Sequence, residues 1–236
     1  MYIAYLPKIK GEKLKDRNIN NFLKFYIEKS NRKYSVIAAP GYMSTRPKTI
    51  DEYLTNLSRI LNYKNKTKIG ILNGMNGHHD NGSGTPVLKN HNDLLSKHGF
   101  EQIKLNANTE FDHRKMMCFV TANNIPNEIT LNNLEDFLDD AYVGGILIGS
   151  SNQSNTSYFS QNASKGEADI FMFDDSEDLE IKRIIRVLKY NEQTDDYPKE
   201  LTDVVLTESF FGKGHNDTQG FFKEILRNVL ENGLEE

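Results

Sequence analysis

The sequence predicts an α/β protein with a mixed, largely parallel sheet flanked by helices on both faces. Residues 144–148 and 169–173 are short, continuous apolar runs, as expected for strands covered on both sides. Between such runs the apolar residues fall at helical spacing. Strand-like and helix-like segments then alternate, the pattern that crossover connections produce.

The first buried strand is expected at 33–39, Lys-Tyr-Ser-Val-Ile-Ala-Ala, ended by Pro40-Gly41. A helix follows over 49–61, where Ile50, Tyr53, Leu54, Leu57, Ile60 and Leu61 share one face. Residues 68–72 form a second strand, and 88–98 a helix stopped by Gly99. Further strands are expected at 102–105, 115–121, 144–148 and 169–173, with an acidic surface loop or short helix over 131–140. Beyond Asp174 come an acidic helix at 179–190, a strand at 203–206 and an amphipathic helix at 218–232. No internal repeat is visible, so any motif occurs once.

A chain of 236 residues suits one domain, 1–236, with a motif-bearing core over about 30–175 and an extension over 176–236. Hydrophobic residues make up 37% and charged residues 26%, which excludes disorder as the default. No apolar run approaches the roughly 20 residues of a membrane helix. The N-terminal Met-Tyr-Ile-Ala-Tyr-Leu-Pro lacks the basic segment of a secretory leader. The lone Cys118 forms no internal disulfide, and a reducing cytoplasm is the expected location. The net charge of −4 argues against a general polyanion binder. Residues 1–115 nonetheless hold 20 Lys and Arg against 10 Asp and Glu, and 116–236 hold 9 against 23. That asymmetry allows one positive face, unless the two halves interleave on folding.

Three stretches carry chemistry. In Phe111-Asp112-His113-Arg114-Lys115-Met116, His113 and Lys115 flank one residue at the entrance to an apolar strand, so alternation sends both side chains to one face. Alone, such a pair is commonplace. In Gly149-Ser150-Ser151-Asn152 a buried strand runs into a small polar turn whose Ser and Asn can donate to an anion. Asn162 and Glu167 then precede the strand beginning Asp169-Ile170-Phe171. Polar groups at strand ends are where open α/β sheets build their sites.

The ordered set His-x-Lys, Gly-Ser-x-Asn and Asn-Glu before a strand resembles the signature of the phospholipase D-like superfamily, over roughly residues 30–175. It is most similar to the restriction-endonuclease branch of nucleases, and residues 36–44 are similar to that branch's first strand and turn. The family's aspartate, five residues after the lysine, falls at Val120 and is absent; nuclease branches often lack it, which counts more against lipid chemistry than against catalysis.

The resemblance implies a phospholipase D-like fold and a metal-independent phosphodiesterase with no cofactor. His113 is then the nucleophile that forms a phosphohistidine, and a second His113 from a homodimer partner acts as acid and base. Lys115 and Asn152 stabilise the non-bridging oxygens, with Ser150 a supporting donor. Glu167 orients the imidazole, with nearby Asp169 as its substitute. Tyr42 and Arg46, after the first strand, are candidate substrate contacts, or else only a capped turn feeding the next helix. The expected substrate is DNA. Restriction enzymes of this branch carry a recognition module, for which 176–236 is short, so a separate ATPase, helicase or recognition subunit in a bacterial defence system is the expected partner.

Two other classes compete: a phospholipase or other small-molecule phosphodiesterase, and a degenerate, non-catalytic nucleic-acid-binding subunit. A lipid enzyme calls for an apolar surface loop, and the sequence offers none. His78-His79-Asp80 invites a metal reading, but adjacent histidines diverge and the Gly/Asn-rich surroundings favour a loop. Gly212-Lys213-Gly214-His215 lacks the spacing of a nucleotide-binding loop. Phe210-Phe211 and Phe221-Phe222 are expected in the core or at a dimer interface.

Overall fold

In a computed structural model the described residues are 1–8, 18–30, 32–41, 46–61, 67–72, 88, 91–106, 114–149, 167–174, 205–208 and 218–234. They form ten strands: β1 (Tyr2–Lys8), β2 (Ser35–Ala39), β3 (Thr67–Ile71), β4 (Phe100–Gln102), β5 (Lys104–Leu105), β6 (Met116–Thr121), β7 (Glu128–Ile129), β8 (Tyr142–Gly149), β9 (Glu167–Phe173) and β10 (Val205–Glu208). The helices are α1 (Asn18–Lys29), α2 (Pro47–Leu61), α3 (Asn92–Lys97), α4 (Leu134–Asp140) and α5 (Thr218–Glu231). A single 3-10 turn, Leu131–Asn133, leads into α4.

Eight strands make one sheet in the order β10-β1-β9-β8-β6-β2-β3-β4, and β5 pairs with β7 separately. The expectation of a largely parallel sheet is corrected here. Within the eight-stranded sheet only β2–β3 and β3–β4 are parallel; β10–β1, β1–β9, β9–β8, β8–β6 and β6–β2 all run antiparallel. Continuous apolar runs report burial on two faces, and antiparallel strands meet that condition whenever helices cover both sides.

Here they do. One face carries Val36, Ala38, Met117, Phe119, Leu147, Phe171 and Phe173 under α1, α2 and α3. The opposite face carries Ile37, Ala39, Met116, Cys118, Val120, Val143 and Ile146 under α4 and α5. In α2 the six apolar residues named from sequence are all buried. Within the first layer Phe22, Tyr26, Phe119, Phe171 and Phe173 interlock, Tyr26 and Phe171 edge to face with centroids 4.9 Å apart. The Tyr26 hydroxyl donates to the Gly144 carbonyl at 2.9 Å, which satisfies a main-chain acceptor beside the register shift between β6 and β8.

Element boundaries move in physically understandable ways. The helix expected at 88–98 is only α3, Asn92–Lys97, with Leu88 in a turn. The strand expected at 102–105 is split between the main sheet and the small one. The 131–140 segment is a helix rather than a surface loop, because Leu134, Phe137 and Leu138 are buried against the sheet. Strand β10 and helix α5 lie close to the segments expected at 203–206 and 218–232. Phe222 is core, while Phe210-Phe211 and the expected 179–190 helix lie outside the described residues. β1, α1 and the small β7 strand were not foreseen.

Gln219, in the first turn of α5, acts as a substitute peptide group. Its Oε1 accepts from Val143 N at 3.0 Å, and its Nε2 donates to Val143 O at 3.0 Å and to Asp174 Oδ2 at 2.9 Å. β9 pairs with β8 only from Gly145 onward, so the amide serves groups of Val143 that this ladder leaves over. No helix of the described residues is long and apolar enough to cross a membrane.

Between α2 and α3, Asp51 Oδ1 accepts from Lys97 Nζ and His98 Nε2, each at 2.7 Å. Those bonds, the lysine first, hold the Asp51 carboxyl below its ordinary range. A lowered carboxylate stabilises the fold above its unfolded value, and that contribution disappears as the pH falls through the lower folded value. Melting temperatures of wild type and Asp51→Asn should therefore differ at pH 7 and draw together below about pH 4.

Candidate functional site

Among the described residues, Lys115, Gly149 and Asp169 meet at one end of the sheet, where β2 finishes. Ala39 pairs with Met116, and Met116 with Ile148. One step further out, Gly149 N donates to Lys115 O at 3.2 Å, and Gly149 pairs with Asp169 across the β8–β9 ladder. Lys115, Gly149 and Asp169 therefore form a row over three neighbouring strands, with Leu6 of β1 next in line. Two residues further out, Glu167 pairs with Lys8.

Alternation sets the face. Lys115 lies in phase with Met117 and Phe119, and Asp169 with Phe171 and Phe173, all four of them residues of the α1–α2–α3 layer. Lys115 is half-buried. Asp169 is only 1% exposed, a burial that a carboxylate tolerates only with polar partners. Its side chain lies across the backbone of Gly149, where an added Cβ would coincide with the Asp169 carboxylate and stand 2.7 Å from Asp169 Cα. Glycine at 149 is thus required by close approach rather than by a turn. The sequence reading placed Gly149 in the polar turn; the structure places it inside β8, as a cradle for the next strand's carboxylate.

Arg46 immediately precedes α2, its carbonyl accepting from Thr49 N at 2.9 Å and Ile50 N at 3.1 Å, and its side chain is exposed. Since α2 follows β2, Arg46 belongs to the same end of the sheet. His113, Ser150, Asn152 and Tyr42 lie outside the described residues; Arg114, Gly149 and Gly41 are their described chain neighbours. The backbone of Glu167 is described and its side chain is not. The described residues bring together Lys115, Gly149, Asp169 and the Glu167 backbone.

Cys118 points to the opposite layer and is buried. Burial pushes its thiol up to about 12, against a smaller opposing pull from Arg114, so it is no ready nucleophile. Among the described residues no group of three or more His, Cys, Asp or Glu is placed to hold a metal ion, and His78-His79-Asp80 lies outside them. No family model matches the chain, and no curated protein matches it either.

Proposed function

We propose that this chain is a metal-independent phosphodiesterase, a DNA endonuclease subunit of a bacterial defence or restriction system, acting as a homodimer through a phosphohistidine. The observation that carries the reading is the row Lys115–Gly149–Asp169, which sets three motif segments, far apart in sequence, side by side on one face. Chance resemblance of short motifs gives no reason for them to meet.

Each residue then has a task. The His113 imidazole attacks phosphorus; a P–N bond forms as the P–O bond to the leaving strand breaks, and His113 of the partner subunit gives that oxygen its proton. Water next attacks the phosphohistidine, with the partner's His113 taking a proton from it, and the P–N bond breaks. Lys115, Asn152 and Ser150 oppose the charge on the non-bridging oxygens. Glu167 orients the imidazole, with Asp169 as its substitute. The charge surplus of the N-terminal half, together with Arg46 at this end of the sheet, favours a polyanionic substrate. A separate ATPase, helicase or recognition subunit supplies sequence choice.

The purified protein is expected to cleave DNA in the presence of a chelator, and a denaturing quench at alkaline pH during turnover, where the P–N bond survives, should trap DNA covalently on one histidine. Cleavage that requires Mg²⁺, or a quench that yields no adduct at His113 by peptide mapping, overturns the mechanism.

A further inference from the structure

The residue between His113 and Lys115 has its own attachment. Alternation along β6 sends Arg114 away from Lys115, toward the layer of α4 and α5. There its Nη2 donates to Val229 O at 2.8 Å and its Nη1 to Asn228 O at 3.2 Å. Both carbonyls belong to the last turn of α5, where the helix dipole favours a cation; Asn228 O also accepts from Asn232 N at 3.3 Å and Asn232 Nδ2 at 2.8 Å. α5 is itself fixed to the sheet through Phe222, Leu226, Val229 and Leu230. On the same short stretch, the Lys115 carbonyl is held by Gly149 N.

We infer that Arg114 is a positioning residue: its grip on the end of α5, with the Gly149–Lys115 hydrogen bond, fixes the backbone from which His113 and Lys115 reach the substrate. The inference rests on the nuclease reading above. A fork-shaped guanidinium suits this task because it binds two successive carbonyls at once and so fixes orientation as well as distance. Alternation puts Lys115 on one side of the chain and its anchor on the other. A small loss of alignment there lowers turnover up to about 100-fold without touching substrate affinity.

The test uses the full chain and a DNA cleavage assay in chelator, with wild type, Arg114→Gln, Arg114→Lys and His113→Ala. Arg114→Gln should lower kcat about 10- to 100-fold with KM within about 2-fold of wild type. Arg114→Lys, which can still donate to the helix end but lacks the fork, should recover only part of that loss. The slope of log KM against log salt should stay unchanged in both variants, since Arg114 makes no phosphate contact in this scheme. Unchanged kcat in Arg114→Gln, or a salt slope reduced by about one, the mark of a lost phosphate contact, overturns the inference. Should Arg114→Gln fail to fold, the lysine variant decides: a lowered kcat with wild-type KM and salt slope supports the inference, and a wild-type kcat or a changed slope overturns it. A wild type without activity, or an active His113→Ala, sinks the underlying reading instead, and so the two failures are distinguishable.

Discussion

His113→Ala is expected to abolish DNA cleavage, lowering kcat by at least about 10⁴-fold, with DNA binding retained and the melting temperature within about 1 °C of wild type. Removal of a covalent nucleophile is among the costliest single changes to an enzyme, because the two-step route closes and no neighbouring group replaces it. Lys115 is a cation on the same strand and cannot take over nucleophilic attack at phosphorus while protonated. The proposed homodimer adds a sharper form of the test. If each phosphate needs an imidazole from both subunits, a statistical mixture of equal wild-type and variant chains retains only about a quarter of the activity, against about half for independent subunits. Mixing after co-refolding and measuring initial rates in chelator reads this directly.

Gly149→Ala should be the most damaging small substitution near the site. The added methyl coincides with the Asp169 carboxylate and stands 2.7 Å from Asp169 Cα, and the latter is backbone that cannot swing aside. Either β8 and β9 separate at this point or the carboxylate leaves its buried position. Overpacking of this kind costs about 1–3 kcal/mol. For a chain of this size that corresponds to a melting temperature lower by about 2–12 °C. Turnover should fall further than stability suggests, by about 100-fold, because Gly149 N also holds the Lys115 carbonyl. Thermal melting followed by circular dichroism, together with the cleavage assay, checks both parts. A variant melting within 1 °C of wild type would show that the two strands do not approach this closely.

How much of this was legible in the sequence varied with the range of the interactions. β2, β6, β8 and β9 could be read because both their faces are apolar, and α2 because Ile50 through Leu61 keep helical spacing. Strand direction could not be read that way, since a run such as Gly145-Ile146-Leu147-Ile148 looks the same whichever way its neighbours point. β1 escaped notice because its pattern is mixed: Ala4 and Leu6 are fully buried while Tyr5 is 43% exposed, and both of its partners, β9 and β10, lie far along the chain. The candidate site was legible as motifs but not as geometry. Alternation alone sets Arg114 opposite Lys115, yet nothing local points to Val229 as its acceptor. Nor does the spacing of Gly149 and Asp169 reveal that one makes room for the other.

The antiparallel ladder from β6 through β8 to β9 also imposes a parity rule on the chain. Side chains in these strands alternate between the two faces of the sheet, so a one-residue insertion in β8 beyond its register shift with β6 would carry Gly149 to the far side and thrust a bulky neighbour against Asp169. Two-residue changes keep the phase. Length variation in related proteins should therefore be even, or absent, over residues 145–149.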